Sequence, residues 1–232
     1  MTEPVAVVVG VGPGLGSAVA RRFAAAGFKV AVARRRPEEL AGLVEEIGAS
    51  AYACDATEQD SVEAMFAAID KELGGPQAVV YNAGAYKPGG ILDIEAADFE
   101  RCWRIGCLGG FHVGQAAAKR MVEAGAGTII FTGATASLRG SAKFANLAVP
   151  KFGLRALAQS MARDLGPQGV HVAHTIIDGQ IAGERTGYRA EDRGNDAVLA
   201  PDAIAEAYYQ LHVQPRSAWT QELDLRPCME TF

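Results

Sequence analysis

Residues 5–16 read VAVVVGVGPGLG. Five apolar, mostly β-branched residues, Val5 to Val9, stop abruptly at Gly10. The following SAVARRFAAAG (17–27) instead repeats its apolar residues at helical spacing. The stretch therefore reads strand, glycine turn, helix. The same alternation returns as KVAVA (29–33) before PEELAGLVEEIG (37–48), and as SAYAC (50–54) before SVEAMFAAIDKELGG (61–75). The runs AVVYNAG (78–84), TIIFTG (128–133) and HVAHTII (171–177) are continuously apolar, as strands buried on both faces must be. Such strands alternating with helices predict an α/β fold, a Rossmann-type doubly wound parallel sheet with helices on both faces. Gly27, Gly48 and Gly74-Gly75 stand where the first three helices should end.

The chain has 232 residues, 49% of them hydrophobic and 21% charged, which suits one domain over 1–232. The only polar, glycine-punctuated segment long enough for a lid is 183–196. A net charge of −5, with no basic cluster beyond Arg34-Arg35-Arg36, speaks against nucleic acid as a partner. The longest apolar runs fall far short of the roughly 20 residues that span a bilayer, so no membrane partner is expected either. Cys54, Cys102, Cys107 and Cys228 match no zinc spacing, and no leader precedes the first strand. Reduced thiols, a cytoplasmic protein and no metal are the expectation. His171 and His174 lie three apart on a strand and should point to opposite faces, while His112 reads as an interior or interface residue.

Glycines after a first strand let the backbone turn tightly and bring amide N–H groups to a pyrophosphate at a helix N-terminus, which makes Gly10, Gly12, Gly14, Leu15 and Gly16 a dinucleotide site. At the end of the second strand an acid would favour NAD and an arginine the 2′-phosphate of NADP. Arg34 and Arg35 stand there with no acid among them and Arg36, so NADP is expected over NAD.

The spacing Gly10, Gly14, Gly16 resembles the glycine motif of the short-chain dehydrogenase/reductase family, and further landmarks follow in order along nearly the whole chain. Asp55, with Ala56 beside it, resembles the adenine-contacting aspartate, Asn82-Ala83-Gly84 resembles the NAG motif, and Lys151 falls where the catalytic lysine belongs. Gly179 and Ile181 lie in the segment that meets the nicotinamide end. The resemblance implies an oxidoreductase acting on a small-molecule substrate.

It also exposes departures. Aligned on Lys151, the family's tyrosine is Leu147. Its serine is Ala134, with Thr135 and Ser137 the nearest hydroxyls, and its asparagine is Gly106, within WRIGCLGGF (103–111). IIDG (176–179) replaces a proline-glycine pair and Gly183 a threonine. Hydride transfer to a carbonyl builds an alkoxide that an acid must meet, and leucine supplies no proton. Tyr86, Lys87 and Tyr188 are the remaining candidate acids.

Pro150 removes one amide donor and disfavours helical angles at Val149, so a helix should start or kink there, and Leu147 and Lys151 need not share a face. Three readings stay open: an oxidoreductase with a different acid, an NADP-binding sensor, regulatory subunit or scaffold, and another reaction such as reduction of a carbon–carbon double bond. Trp103 and Phe111 read as core or subunit contacts, with an aromatic wall beside a nicotinamide pocket as the alternative. The family also suggests a homodimer or homotetramer joined by the last helix and strand, with Tyr208, Leu211 and Trp219 at the contact. The substrate is unspecified, because its pocket depends on the loops 86–98, 134–144 and 183–196.

Overall fold

The computed structural model describes residues 3–183 and 197–229. Seven strands form one sheet in the order β3-β2-β1-β4-β5-β6-β7, every neighbour pair parallel. They are β1 Val5–Val9, β2 Lys29–Arg34, β3 Ser50–Ala53, β4 Ala78–Tyr81, β5 Gly127–Thr132, β6 Val170–Ile177 and β7 Glu222–Leu225. Among the described residues the helices are α1 Leu15–Ala25, α2 Ala41–Ile47, α3 Gln59–Glu72, α4 Ala96–Trp103, α5 Gly109–Ala124, α6 Ala145–Leu165 and α7 Pro201–His212.

Alternation along β1 shows how the three layers arise. Val5, Val7 and Val9 enter one core with Phe66, Met121 and Leu154 of α3, α5 and α6, while Ala6 and Val8 enter the other with Phe23, Leu43 and Tyr208 of α1, α2 and α7. Successive side chains of a strand point to opposite faces, so a strand covered on both sides must be apolar throughout. All five residues of β1 are buried.

The expected glycine stops hold. Gly48 ends α2 in the left-handed region, and Gly27 and Gly74 follow α1 and α3 at positive φ. The expected helix over 37–48 divides into a 3-10 turn, Pro37–Leu40, and α2.

Three expectations need correction. Helix α6 begins at Ala145 and runs through Pro150 to Leu165 without interruption. Pro150 forfeits one amide near the N-terminal end, and its ring is buried against Gly106, so packing outweighs the local penalty. Leu147 and Lys151, four apart in one helix, therefore share a face. Second, Tyr208 and Leu211 are not subunit contacts: they are 0% and 1% exposed, and the Tyr208 hydroxyl bonds to Thr175 Oγ1 at 2.6 Å and Thr132 Oγ1 at 2.9 Å. Third, of the readings of Trp103 and Phe111, core is removed and subunit contact left open: they stand 38% and 41% exposed on either side of a π-helical step, Arg104–Leu108, between α4 and α5.

Trp219 is half-buried and stacks on His171 at 4.9 Å. His171 and His174 have separate partners: His171 Nε2 meets the Thr220 carbonyl, and His174 Nε2 lies 3.4 Å from Ser137 Oγ. His112 Nδ1 lies 3.1 Å from the Ala56 carbonyl. No helix of the described residues is long and apolar enough to cross a membrane.

Candidate active site

A cleft of about 1080 Å³ opens at the carboxyl ends of β1, β2 and β4, where the strand order reverses direction between β1 and β4. Crevices at such a switch point hold ligands in doubly wound sheets. Of the residues anticipated from sequence, Gly10, Gly12, Gly14, Leu15, Gly16, Arg34, Arg35, Asp55, Ala56, Asn82, Ala83, Gly84 and Ile181 line it. Lys151 and Gly179 do not. Gly183 and Tyr86 are also on the wall. Of the expected loop 183–196 only Gly183 is among the described residues, and Tyr188 lies outside them.

The glycine turn is shaped by close approach. Gly10 has φ +88°, and a Cβ there would stand 2.4 Å from the Ala83 amide nitrogen. Asn82 Nδ2 donates to the Gly10 carbonyl at 3.1 Å, tying the end of β4 to the turn. Helix α1 starts at Leu15 with no side-chain cap and no acid in its first turn, so its positive end faces the cleft uncompensated. With the arginines at the end of β2, this donor set fits a pyrophosphate and a further phosphate.

Asp55 is held by its own turn. Its Oδ1 accepts from the Thr57 amide at 3.0 Å and from Thr57 Oγ1 at 2.8 Å, while Ser61 Oγ accepts from the Asp55 amide.

The other end of the site is built on β5, β6 and α6. Lys151 is buried, and its Nζ donates to the Thr132 carbonyl at 2.6 Å, about 3.9 Å from where a Cβ on Gly84 would stand. Lys151 thus lies directly behind the cleft wall. Burial lowers its pKa to about 8 from an ordinary 10.5. Between those values the unfolded chain holds a proton that the folded one has released, so stability rises with pH across that window. Lys151→Met should flatten the rise, removing roughly 3 kcal/mol of pH-dependent stability, which urea midpoints at successive pH values will measure.

The hydroxyls near Ala134 are both engaged. Ser137 is fully buried, and its Oγ accepts from the Ala134 amide at 3.1 Å. Thr135 Oγ1 donates to Asp178 Oδ1 at 2.5 Å. Asp178 is itself buried and ion-paired with Arg226 at 3.2 Å. Of the alternative acids, Tyr86 lines the cleft, stacks on Phe144 and donates to the Lys143 carbonyl at 3.3 Å, with burial raising its pKa. Lys87 is ion-paired with Asp98.

Gly106 carries a further constraint. A Cβ there would stand 2.8 Å from Pro150 Cβ, so the proline ring fills the space beside Gly106 into which any side chain would grow.

Sequence reasoning missed three features. Glu39 reaches the arginines from the turn after β2, Arg104 joins the wall and pairs with Glu58 at 3.1 Å, and the Thr135–Asp178 bond spans 43 positions. Only Glu39 had a visible signal, lying just beyond the triplet.

Comparison with known proteins agrees with this geometry. The family model described as short chain dehydrogenase matches residues 4–193. A 3-oxoacyl-[acyl-carrier-protein] reductase, MabA, of Mycobacterium avium is 32% identical over 183 residues, covering 78% of this chain and 68% of its own. A short-chain dehydrogenase structure from Rhodopseudomonas palustris superposes with a TM-score of 0.84 at 41% identity, covering 97% of this chain and 98% of its own. A metagenomic short-chain oxidoreductase in complex with NADP superposes with a TM-score of 0.84 at 25% identity, covering 99% of each chain. The chain belongs to the short-chain dehydrogenase family.

Proposed function

We propose that the protein is an NADP(H)-dependent oxidoreductase acting on a small organic substrate with a proton donor other than the family's tyrosine. The observation that carries this is the uncapped α1 N-terminus and glycine turn facing the same cleft as three arginines. The NADP complex of the metagenomic relative supports the choice of cofactor. When bound, the dinucleotide supplies or accepts the hydride.

In this reading Gly12, Gly14, Leu15 and Gly16 offer backbone donors to the pyrophosphate, Arg34 and Arg35 hold the 2′-phosphate, and Asp55 and Ala56 flank the adenine. Asn82, Ala83 and Gly84 on the wall would meet the ribose, and Ile181, with Gly179 two residues before it off the wall, would bound the nicotinamide end. Lys151 stands behind the wall at Gly84 rather than on it, and its ammonium, with donors beyond the one given to Thr132, would reach the ribose hydroxyls past that glycine. Leu147 on the same face, with Ala134 and Gly106, leaves the usual proton-donating positions apolar. Tyr86 is our candidate to meet a substrate oxygen, and its position on the cleft wall is what supports it. Exposed Phe111, Val149 and Phe152 on α5 and α6 suit self-association as a homodimer or homotetramer.

The test is turnover. NADPH absorbance followed over a panel of ketones and activated alkenes should fall with at least one of them, and Tyr86→Phe should reduce that rate at least about tenfold. Saturable NADPH binding with no consumption across the panel would overturn the oxidoreductase reading.

A further inference from the structure

The corner of the cleft at the end of β2 contains an anion of its own. Glu39, one turn beyond the arginines in the 3-10 segment Pro37–Leu40, lines the cleft beside Arg34, Arg35 and Arg36. Its carboxylate bridges two of them: Oε2 is ion-paired with Arg34 Nη2, and Oε1 with Arg36 Nε at 2.7 Å. Arg35 has no carboxylate partner among the described residues.

From this arrangement we infer that Glu39 sets the cofactor preference, acting as a built-in competitor for the 2′-phosphate. The inference rests on reading this cleft as the dinucleotide site. A guanidinium presents a planar fork that one carboxylate or one phosphate fills. While Glu39 occupies Arg34, a 2′-phosphate must displace it to reach that guanidinium. NAD(H), which carries a 2′-hydroxyl, needs no displacement, and the carboxylate keeps lone pairs beyond those its arginines use to accept from that hydroxyl. Arginine at the end of β2 therefore gives less discrimination for NADP(H) than the sequence implies. The pairs are partly exposed, with side-chain accessibilities of 25% for Arg34 and 35% for Glu39, so the competitor is displaceable rather than blocking.

Fluorescence titration of the wild-type protein, Glu39→Gln, Arg34→Ala and the double variant with NADPH and NADH tests this. Glu39→Gln should tighten NADPH about fivefold to tenfold while changing NADH less than about twofold. In the Arg34→Ala background the same substitution should change NADPH affinity less than about twofold. An unchanged NADPH-to-NADH ratio in Glu39→Gln would overturn the inference while leaving the cofactor site standing, and so would a gain that persists without Arg34. Binding of neither cofactor by the wild-type protein would overturn the site and the inference together.

Discussion

Replacing Gly10 by alanine is expected to abolish dinucleotide binding and to cost about 2–4 kcal/mol of stability. Two independent physical causes act at this position. At φ +88° an L-residue is strained, and the new methyl would lie 2.4 Å from the Ala83 amide nitrogen and 2.6 Å from its Cα. Those are backbone atoms of the segment that follows β4, so no rotamer change can relieve the contact. Relief requires the glycine turn and the NAG segment to separate, which also breaks the Asn82–Gly10 hydrogen bond. Urea unfolding reads the stability cost, and NADPH titration in the absence of urea should show at least a hundredfold weakening. Wild-type midpoint and affinity in Gly10→Ala would mean that the turn does not shape the site.

The second large effect is at the contact between the π-helical step and α6. Gly106→Asn should destabilise the protein by about 1–3 kcal/mol, because its Cβ would meet the buried Pro150 ring at 2.8 Å. Replacing the ring as Pro150→Gly in the same chain should recover most of that loss. It opens the space and returns an amide N–H to the helix, even though glycine is itself a weak helix former. A coupling of at least about 1 kcal/mol between the two sites, read from a double-mutant cycle in urea, is the expected outcome; simple additivity would contradict the contact. The consequence for chemistry is direct. Leu147 and Ala134 stand where a larger side chain meets no such proline ring, whereas any side chain added at Gly106 requires Pro150 to change as well.

The fold was legible because burial on both faces forces strands such as VAVVV to be apolar without alternation. The glycine turn was legible because its residues are adjacent in sequence. What escaped depended on distance or on competing terms. Pro150 breaks a local rule against proline in helix interiors, and the packing against Gly106 that accompanies it lies 44 positions away in sequence. An apolar helical stripe has the same pattern whether it faces the core or a second subunit, which is why Tyr208 and Leu211 read as contact residues. Arg34 looked free of acids because the acid that reaches it comes from the next turn of chain. Asp178 gave no signal at all, since Thr135 and Arg226 meet it only in the folded protein.

In our reading, the cleft at the ends of β1, β2 and β4 binds a nicotinamide dinucleotide through the glycine turn and the arginines. Titration of the purified protein with NADPH, followed by the cofactor's fluorescence, tests it most directly. Saturable binding at micromolar concentration, weakened by added salt and lost in Gly10→Ala, is the expected result. A titration with no saturable signal for either NADPH or NADH would contradict it.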